Sequence, residues 1–131
     1  MKSKIEIRKS KIKGAGRGVF ALKNIKKDEV VEMCPIMIIN EKDYLHLKKT
    51  ILGGYVFGYT GRAAMLALGY GSLYNHHNSP NAMYELVEHE NGKEHYSELY
   101  ITAIKPIPKD GEIYINYGGH YDKMYAEKPK K

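Results

Sequence analysis

Three short clusters hold the residues of this 131-residue chain whose types and spacing suit chemistry. The first is Lys13-Gly14-Ala15-Gly16-Arg17-Gly18, whose glycines let backbone approach a ligand closely and adopt angles closed to other residues. The second is Asn75-His76-His77-Asn78-Ser79-Pro80-Asn81, rich in amide and imidazole groups that either bind a ligand or cap a loop. In the third, Gly111-Glu112-Ile113-Tyr114-Ile115-Asn116-Tyr117-Gly118, alternation puts Ile113, Ile115 and Tyr117 on one face and Tyr114 and Asn116 on the other. Adjacent histidines on an extended segment point opposite ways, and no Asp/Glu-x-His pattern supports them, so no metal site is read here. The lone Cys34 excludes an internal disulfide and a Cys-cluster zinc site, and its apolar flanks suit a small hydrophobe in or beside a strand. No side chain stands out as a dedicated general base.

The elements that must position these clusters read mainly as short strands separated by turn signals. Ile5 and Ile7 alternate with charges as in a half-buried strand, and Gly18 to Leu22 gives a second. Asn24 to Asp28 reads as a turn before a strand from Glu29 to Met33, with another from Ile36 to Ile39 after Pro35. Asn40 suits the N-cap of a short helix over 41–49, ended by Gly53-Gly54, and Tyr55 to Gly58 is a brief strand. Ala82 to Glu88 and Tyr96 to Ile104 form the arms of a hairpin with Asn91-Gly92 in its loop. Pro106 and Pro108 break the second arm, and Lys109-Asp110-Gly111 turns the chain into a strand over Glu112 to Asn116. The pattern predicts a mostly β (β-rich α+β) fold in one domain spanning 1–131, with a core over about 5–121 and a basic tail over 122–131.

In this order and at this spacing, the three clusters resemble the SET domain, the fold of lysine methyltransferases that use S-adenosylmethionine. The resemblance spans roughly residues 5–121 and is greatest to small, viral-type members without flanking domains. Gly16-Arg17-Gly18 matches the family's Gly-x-Gly, and Asn75-His76-x-x-x-Pro80-Asn81 matches Asn-His-Ser-Cys-x-Pro-Asn. His77 and Asn78 depart from that pattern and inherit no role. Gly111 to Tyr117 matches Glu-Leu-x-x-Asp-Tyr, with Asn116 in place of the aspartate. The resemblance implies several small sheets and a C-terminal pseudoknot that brings 75–81 beside 111–117.

It also implies roles. Gly16, Arg17 and Gly18 would hold the methionine end of S-adenosylmethionine. The Asn75 side chain would take its ammonium or carboxylate, and the His76 backbone its adenine. Tyr117 falls on the catalytic tyrosine, whose hydroxyl lies between the transferring methyl and the lysine amine, and it touches the cofactor too. Tyr55, Tyr84 and Ile115 are candidates for the substrate channel, while Phe57 and Tyr59 are read as core. The chain has no post-SET zinc cluster, so the tail over 119–125, with Tyr121 as its best-placed aromatic, is left to cover adenine. A substrate lysine, with a reference pKa near 10.4, is almost wholly charged at neutral pH, and an aromatic channel favours the neutral form. Twelve tyrosines and no tryptophan suit such a channel.

Charge bears on partners. Residues 1–27 hold ten Lys or Arg and one acid, whereas 85–98 hold five glutamates against Lys93 alone. The acidic stretch suits a basic protein substrate such as a histone tail or ribosomal protein segment. Setting aside five lysines near the ends (Lys2, Lys4, Lys128, Lys130, Lys131) leaves sixteen basic and fifteen acidic side chains, so the net charge of +6 partly reflects the tails. Nucleic-acid binding through 1–27 is therefore the secondary reading. A SET-like binding module without turnover is the other alternative, and small members often dimerise, which makes a homodimer an expectation. No apolar run approaches a membrane span, and no signal stretch follows the Lys-rich start, so the chain reads as intracellular.

Overall fold

The computed structural model describes residues 3–117, without the side chains of Glu94 and His95. Among these residues nine strands form two sheets. β1 (Ile5–Lys9), β2 (Arg17–Ala21), β9 (Glu112–Ile115) and β6 (Asn75–His76) make a four-stranded sheet in the order β1-β2-β9-β6. β4 (Val56–Gly58), β5 (Ala64–Ala67), β3 (Val30–Ile39), β8 (Glu94–Ala103) and β7 (Ala82–Asn91) make a five-stranded sheet in the order β4-β5-β3-β8-β7. Neighbouring strands are antiparallel except β6 and β9, which run parallel with Asn75 opposite Tyr114 and His76 opposite Ile115. The predicted mostly-β fold is what the chain adopts.

The alternation of each strand turns one set of side chains into a shared core. Val19 and Ala21 of β2, Cys34 of β3, Met65 of β5, Leu99 and Ile101 of β8 and Ile113 and Ile115 of β9 are all sealed from solvent. Two turns of like sequence, Lys26-Lys27-Asp28 and Pro108-Lys109-Asp110, lie against each other through a bridge between Ile25 and Ile107. Asp28 and Asp110 both take φ of 70°, a conformation aspartate tolerates better than most residues.

Several elements differ from the sequence reading. β3 runs unbroken through Pro35 because that is where it changes partner, pairing with β8 up to Pro35 and with β5 from Ile36 on. A proline is tolerated at such a junction because the lost N–H donor falls between two ladders. The helix α1 (Glu41–Leu47) is capped as expected, the Asn40 side chain accepting from Asp43 N, but it ends two residues earlier. A 3₁₀ turn (Ile51–Gly54) follows, where Gly53 lies so close to Lys48 that a Cβ would sit 2.6 Å from its Cα. The hairpin is longer than read, closing with Asn91 opposite Glu94 and with Gly92 at φ +65° in the turn. β5 was not anticipated. Among the described residues no helix is long and apolar enough to cross a membrane.

Candidate active site

β9 is inserted between β2 and β6, so the end of the described chain passes between two segments laid down far earlier. Asn81 closes this knot with its side chain. Its Nδ2 donates to the Glu112 carbonyl at 2.9 Å, and its Oδ1 accepts from Tyr114 N at 2.8 Å, so the amide mimics one rung of a ladder. His77 N donates to the Ile115 carbonyl at 3.0 Å, extending the parallel pairing by one residue. The pseudoknot that brings 75–81 beside 111–117 is thus present.

A cavity of about 520 Å³ opens where the three clusters meet. One wall is the loop Ile12 to Arg17, in which Gly14 and Gly16 take φ of 84° and 77° and leave bare backbone facing outward. The opposite wall is Ser72, Leu73, Asn75 and His76, and the aromatic rings of Tyr55 and Tyr117 complete it. Gly16, Arg17, Asn75, His76, Tyr55 and Tyr117 therefore share one cavity, as the sequence clusters suggest.

Gly18 sits just behind the wall, and the reason it is glycine is steric. A Cβ there would lie 2.2 Å from Glu112 Oε2 and 2.9 Å from Asn75 Nδ2. Asn75 Nδ2 donates to the Arg17 carbonyl at 2.9 Å and to Glu112 Oε2 at 3.1 Å. With both amide hydrogens engaged, what this side chain can offer a ligand is Oδ1, an acceptor.

Tyr117 is held at every polar atom that bears on its position. Its hydroxyl donates to the Tyr74 carbonyl at 2.8 Å, its N–H to His76 Nδ1 at 2.9 Å, and its carbonyl accepts from the Tyr84 hydroxyl at 2.7 Å. Burial, with Tyr55 nearby, pushes the Tyr117 phenol well up from its usual pKa, partly opposed by a hydrogen bond from the His76 backbone. The ring is therefore neutral through the physiological range. Because His76 Nδ1 accepts, Nε2 carries the proton and faces Asn78 Oδ1 at 3.2 Å. The imidazole is a brace for Tyr117, its ring centroid 5.1 Å from the tyrosine's.

Two of the channel candidates lie elsewhere. Ile115 is fully enclosed in the core and Tyr84 is 2% exposed, its ring against Phe57, so neither lines this cavity. Tyr84 is a candidate by family resemblance and Ile115 by sharing the alternating face of Tyr117, and neither gives the depth at which a residue is covered. Tyr84 instead fixes the Tyr117 backbone from behind. Tyr121 and the rest of 119–125 lie outside the described residues.

Other members of the site escaped the sequence reading. Tyr74 supplies the carbonyl facing Tyr117 and is itself buried, its hydroxyl donating to Glu32 Oε1 at 2.8 Å while Glu32 Oε2 accepts from Tyr70 N at 2.9 Å. Glu112, 3% exposed, accepts from Ser10 Oγ, Lys11 N, Asn75 Nδ2 and the Tyr114 hydroxyl. Alternation carries no signal for Glu112, because it puts this residue on the Tyr114 face, opposite Ile113 and Ile115.

Residues 16–118 match the family model described as SET domain. The chain is 31% identical over 121 residues to a Schizosaccharomyces pombe histone-lysine N-methyltransferase, H3 lysine-37 specific, an alignment covering 92% of this chain and 77% of that one. Among solved structures it resembles a candidate histone methyltransferase of Plasmodium falciparum, with 38% identity, a TM-score of 0.71, and coverage of 88% of this chain and 97% of the other. It shares a fold with a chain of Chaetomium thermophilum Polycomb Repressive Complex 2 bound to S-adenosylmethionine, at 20% identity and a TM-score of 0.74, over 97% of this chain but 17% of that one. The match over most of its length, with the knot and the glycine, asparagine and tyrosine segments in place, means that the chain belongs to the SET domain family and, with it, to the protein-lysine N-methyltransferases.

Proposed function

We propose that this chain transfers a methyl group from S-adenosylmethionine to a lysine of a basic protein such as a histone, using the cavity between the glycine loop and Tyr117. The observation that carries this reading is the convergence of the glycine backbone, the Asn75 acceptor and the Tyr117 hydroxyl on one cavity of about 520 Å³, a size that suits a nucleoside-containing ligand. When bound, S-adenosylmethionine supplies an electrophilic methyl on a sulfonium. Asn75 Oδ1 suits the ammonium end, Arg17 the carboxylate, and the bare backbone at Gly14 and Gly16 permits close approach.

The chain's own contribution is position and environment. The Tyr117 hydroxyl hydrogen is committed to Tyr74 and one lone pair accepts from the His76 backbone, so what the oxygen offers a carbon or nitrogen with positive character is its other lone pair. Tyr117 and Tyr55 give the cavity flat apolar walls that favour a neutral amine over an ammonium. Among the described residues no carboxylate lines the cavity, which suits a substrate proton that leaves to solvent before transfer. Tyr121 and residues 119–125 are proposed to cover adenine, and the acidic stretch 85–98 to attract a basic segment.

Calorimetry with S-adenosylmethionine, followed by a radiolabel assay on histone H3 and on a mixed basic-protein extract, tests the reading. Micromolar binding with label on lysine is the expected result. Binding without turnover would favour the non-catalytic module, and salt-dependent DNA or RNA binding without cofactor affinity would overturn the proposal. Deleting residues 119–131 should weaken the cofactor about tenfold or more, whereas deleting 128–131 should leave it unchanged.

A further inference from the structure

Glu112 is a buried carboxylate with four hydrogen-bond donors, and no ion pair among the described residues involves it. Ser10 Oγ at 2.7 Å and Lys11 N at 2.8 Å come from the start of the glycine loop. Asn75 Nδ2 at 3.1 Å comes from the second cluster, and the Tyr114 hydroxyl at 3.2 Å from its own strand. One side chain thus ties the second and third clusters to the stretch that leads into the first, and the bare backbone of Gly18 gives it room. Taking a charge out of water without a counter-ion is costly even when every lone pair is satisfied. Each oxygen accepts from an N–H, Lys11 N on Oε1 and Asn75 Nδ2 on Oε2, so a glutamine of the same shape would set its own NH₂ against one of them, and the acceptor facing Asn75 has a use beyond packing.

That use lies in what the carboxylate does to Asn75. An asparagine amide can turn over, presenting oxygen or NH₂ to a ligand with little change in shape. Here the two neighbours on one side, the Arg17 carbonyl and Glu112 Oε2, can only accept, so they hold the NH₂ toward themselves. The flipped amide would set oxygen against a carboxylate and a carbonyl, a repulsion between three acceptors in a partly buried place. We infer that Glu112 is a positioning residue that fixes the polarity of the Asn75 amide, and so makes the cavity select a ligand end carrying a cation. The negative charge behind the amide also strengthens Oδ1 as an acceptor, because hydrogen bonds in a chain polarise one another. The inference rests on the proposed cofactor reading and adds to it a residue that never touches the ligand.

The test uses the whole chain and three probes that cannot be turned over: S-adenosylhomocysteine, its deaminated analogue that keeps the carboxylate, and methylthioadenosine, which lacks the amino-acid end. The ratio of the first two affinities reads selection for the ammonium. In Glu112→Gln that ratio should collapse at least tenfold, while methylthioadenosine affinity changes less than twofold. An unchanged ratio, or equal losses for all three probes, overturns the inference and makes Glu112 purely structural. In a double-mutant cycle, Asn75→Ala with Glu112→Gln should be no less selective than Asn75→Ala alone, because both act through one amide.

If Glu112→Gln collapses the ratio and also weakens methylthioadenosine, the double variant Ser10→Ala/Tyr114→Phe decides. It strips two donors from the carboxylate yet keeps the Asn75 contact, so the ratio should stay within twofold of wild type. A collapse there would tie selectivity to the cluster as a whole and overturn the inference. Wild type that binds none of the probes defeats the cofactor reading itself, a result distinct from wild type that binds them with Glu112→Gln unaltered.

Discussion

The hydroxyl of Tyr117 donates to the carbonyl of Tyr74 at 2.8 Å, across 43 residues of sequence. The hydrogen bond spans the knot, from the segment after β9 to the residue just before β6, and it orients a phenol whose burial keeps it neutral. One short contact therefore couples the closure of the fold to the presentation of an oxygen in the cavity.

Removing that oxygen should stop the chemistry without emptying the site. Tyr117→Phe is expected to cut methylation at least ~100-fold, equivalent to about 3 kcal/mol of transition-state stabilisation. Cofactor affinity should change little, because the ring and its N–H to His76 remain. Single-turnover rates beside calorimetry separate the two; a near-normal rate removes Tyr117 from the mechanism.

Asn75→Ala should have the opposite profile. Losing a half-buried amide that meets a charged group costs about 1.5–3 kcal/mol, so the S-adenosylmethionine dissociation constant should rise more than tenfold. The melting temperature should fall as well, since the same amide ties the Arg17 carbonyl to Glu112. Titration and thermal unfolding on one preparation check both.

Gly14 and Gly18 should not be equivalent. Gly18→Ala forces a Cβ to 2.2 Å from Glu112 Oε2 and should destabilise by about 1–3 kcal/mol, as overpacking does, while weakening the cofactor. Gly14→Ala meets nothing within 4 Å and carries only the strain of its φ of +84°, about 1 kcal/mol. Chemical denaturation of the two variants gives the ordering, and a Gly18→Ala protein as stable as wild type would contradict the packing.

Rate should rise from pH 7 towards about 9 at saturating substrate, because the attacking lysine starts near a pKa of 10.4 and must be neutral. Burial raises the Tyr117 pKa, so its phenol stays protonated across this range and contributes no second limb. The slope thus reports the substrate amine. A flat profile would mean that deprotonation is not limiting.

Cys34 should be inert in the folded protein. It is fully buried, and burial above all, with the charge of Glu32 beside it, pushes its thiol pKa far up, so little thiolate is available. Iodoacetamide should leave the native protein unmodified at pH 8 and alkylate it fully in denaturant, as read by intact mass.

Local pattern revealed what depends on local pattern. The Asn40 cap, the hairpin with its Gly92 turn and the alternation of β9 follow from residue type over a few positions, and the structure has them. The convergence of the clusters came from family resemblance; no periodicity could show that β6 and β9 lie parallel. Depth was not legible. Tyr84 and Ile115 have the right chemistry for a channel wall, yet the sheet above them is covered, so they work as core. Glu112 reads as a solvent-facing charge at the start of a strand, and only the loop folded over it makes it the hub of the site.

Because β9 lies between β2 and β6, Tyr117 completes a cavity whose other walls precede it by 40 residues or more. During synthesis the glycine loop and the Asn75 segment emerge with no strand between them to pair with. A ribosome-bound chain stalled before residue 117 clears the exit tunnel would have no place for a ligand, so ligand binding cannot guide its early steps. Such late, non-local closure is slow, and it leaves the β2 and β6 edges open to other chains until it is done. Co-expressed chaperones, rather than added cofactor, are then the lever that should raise the yield of this protein.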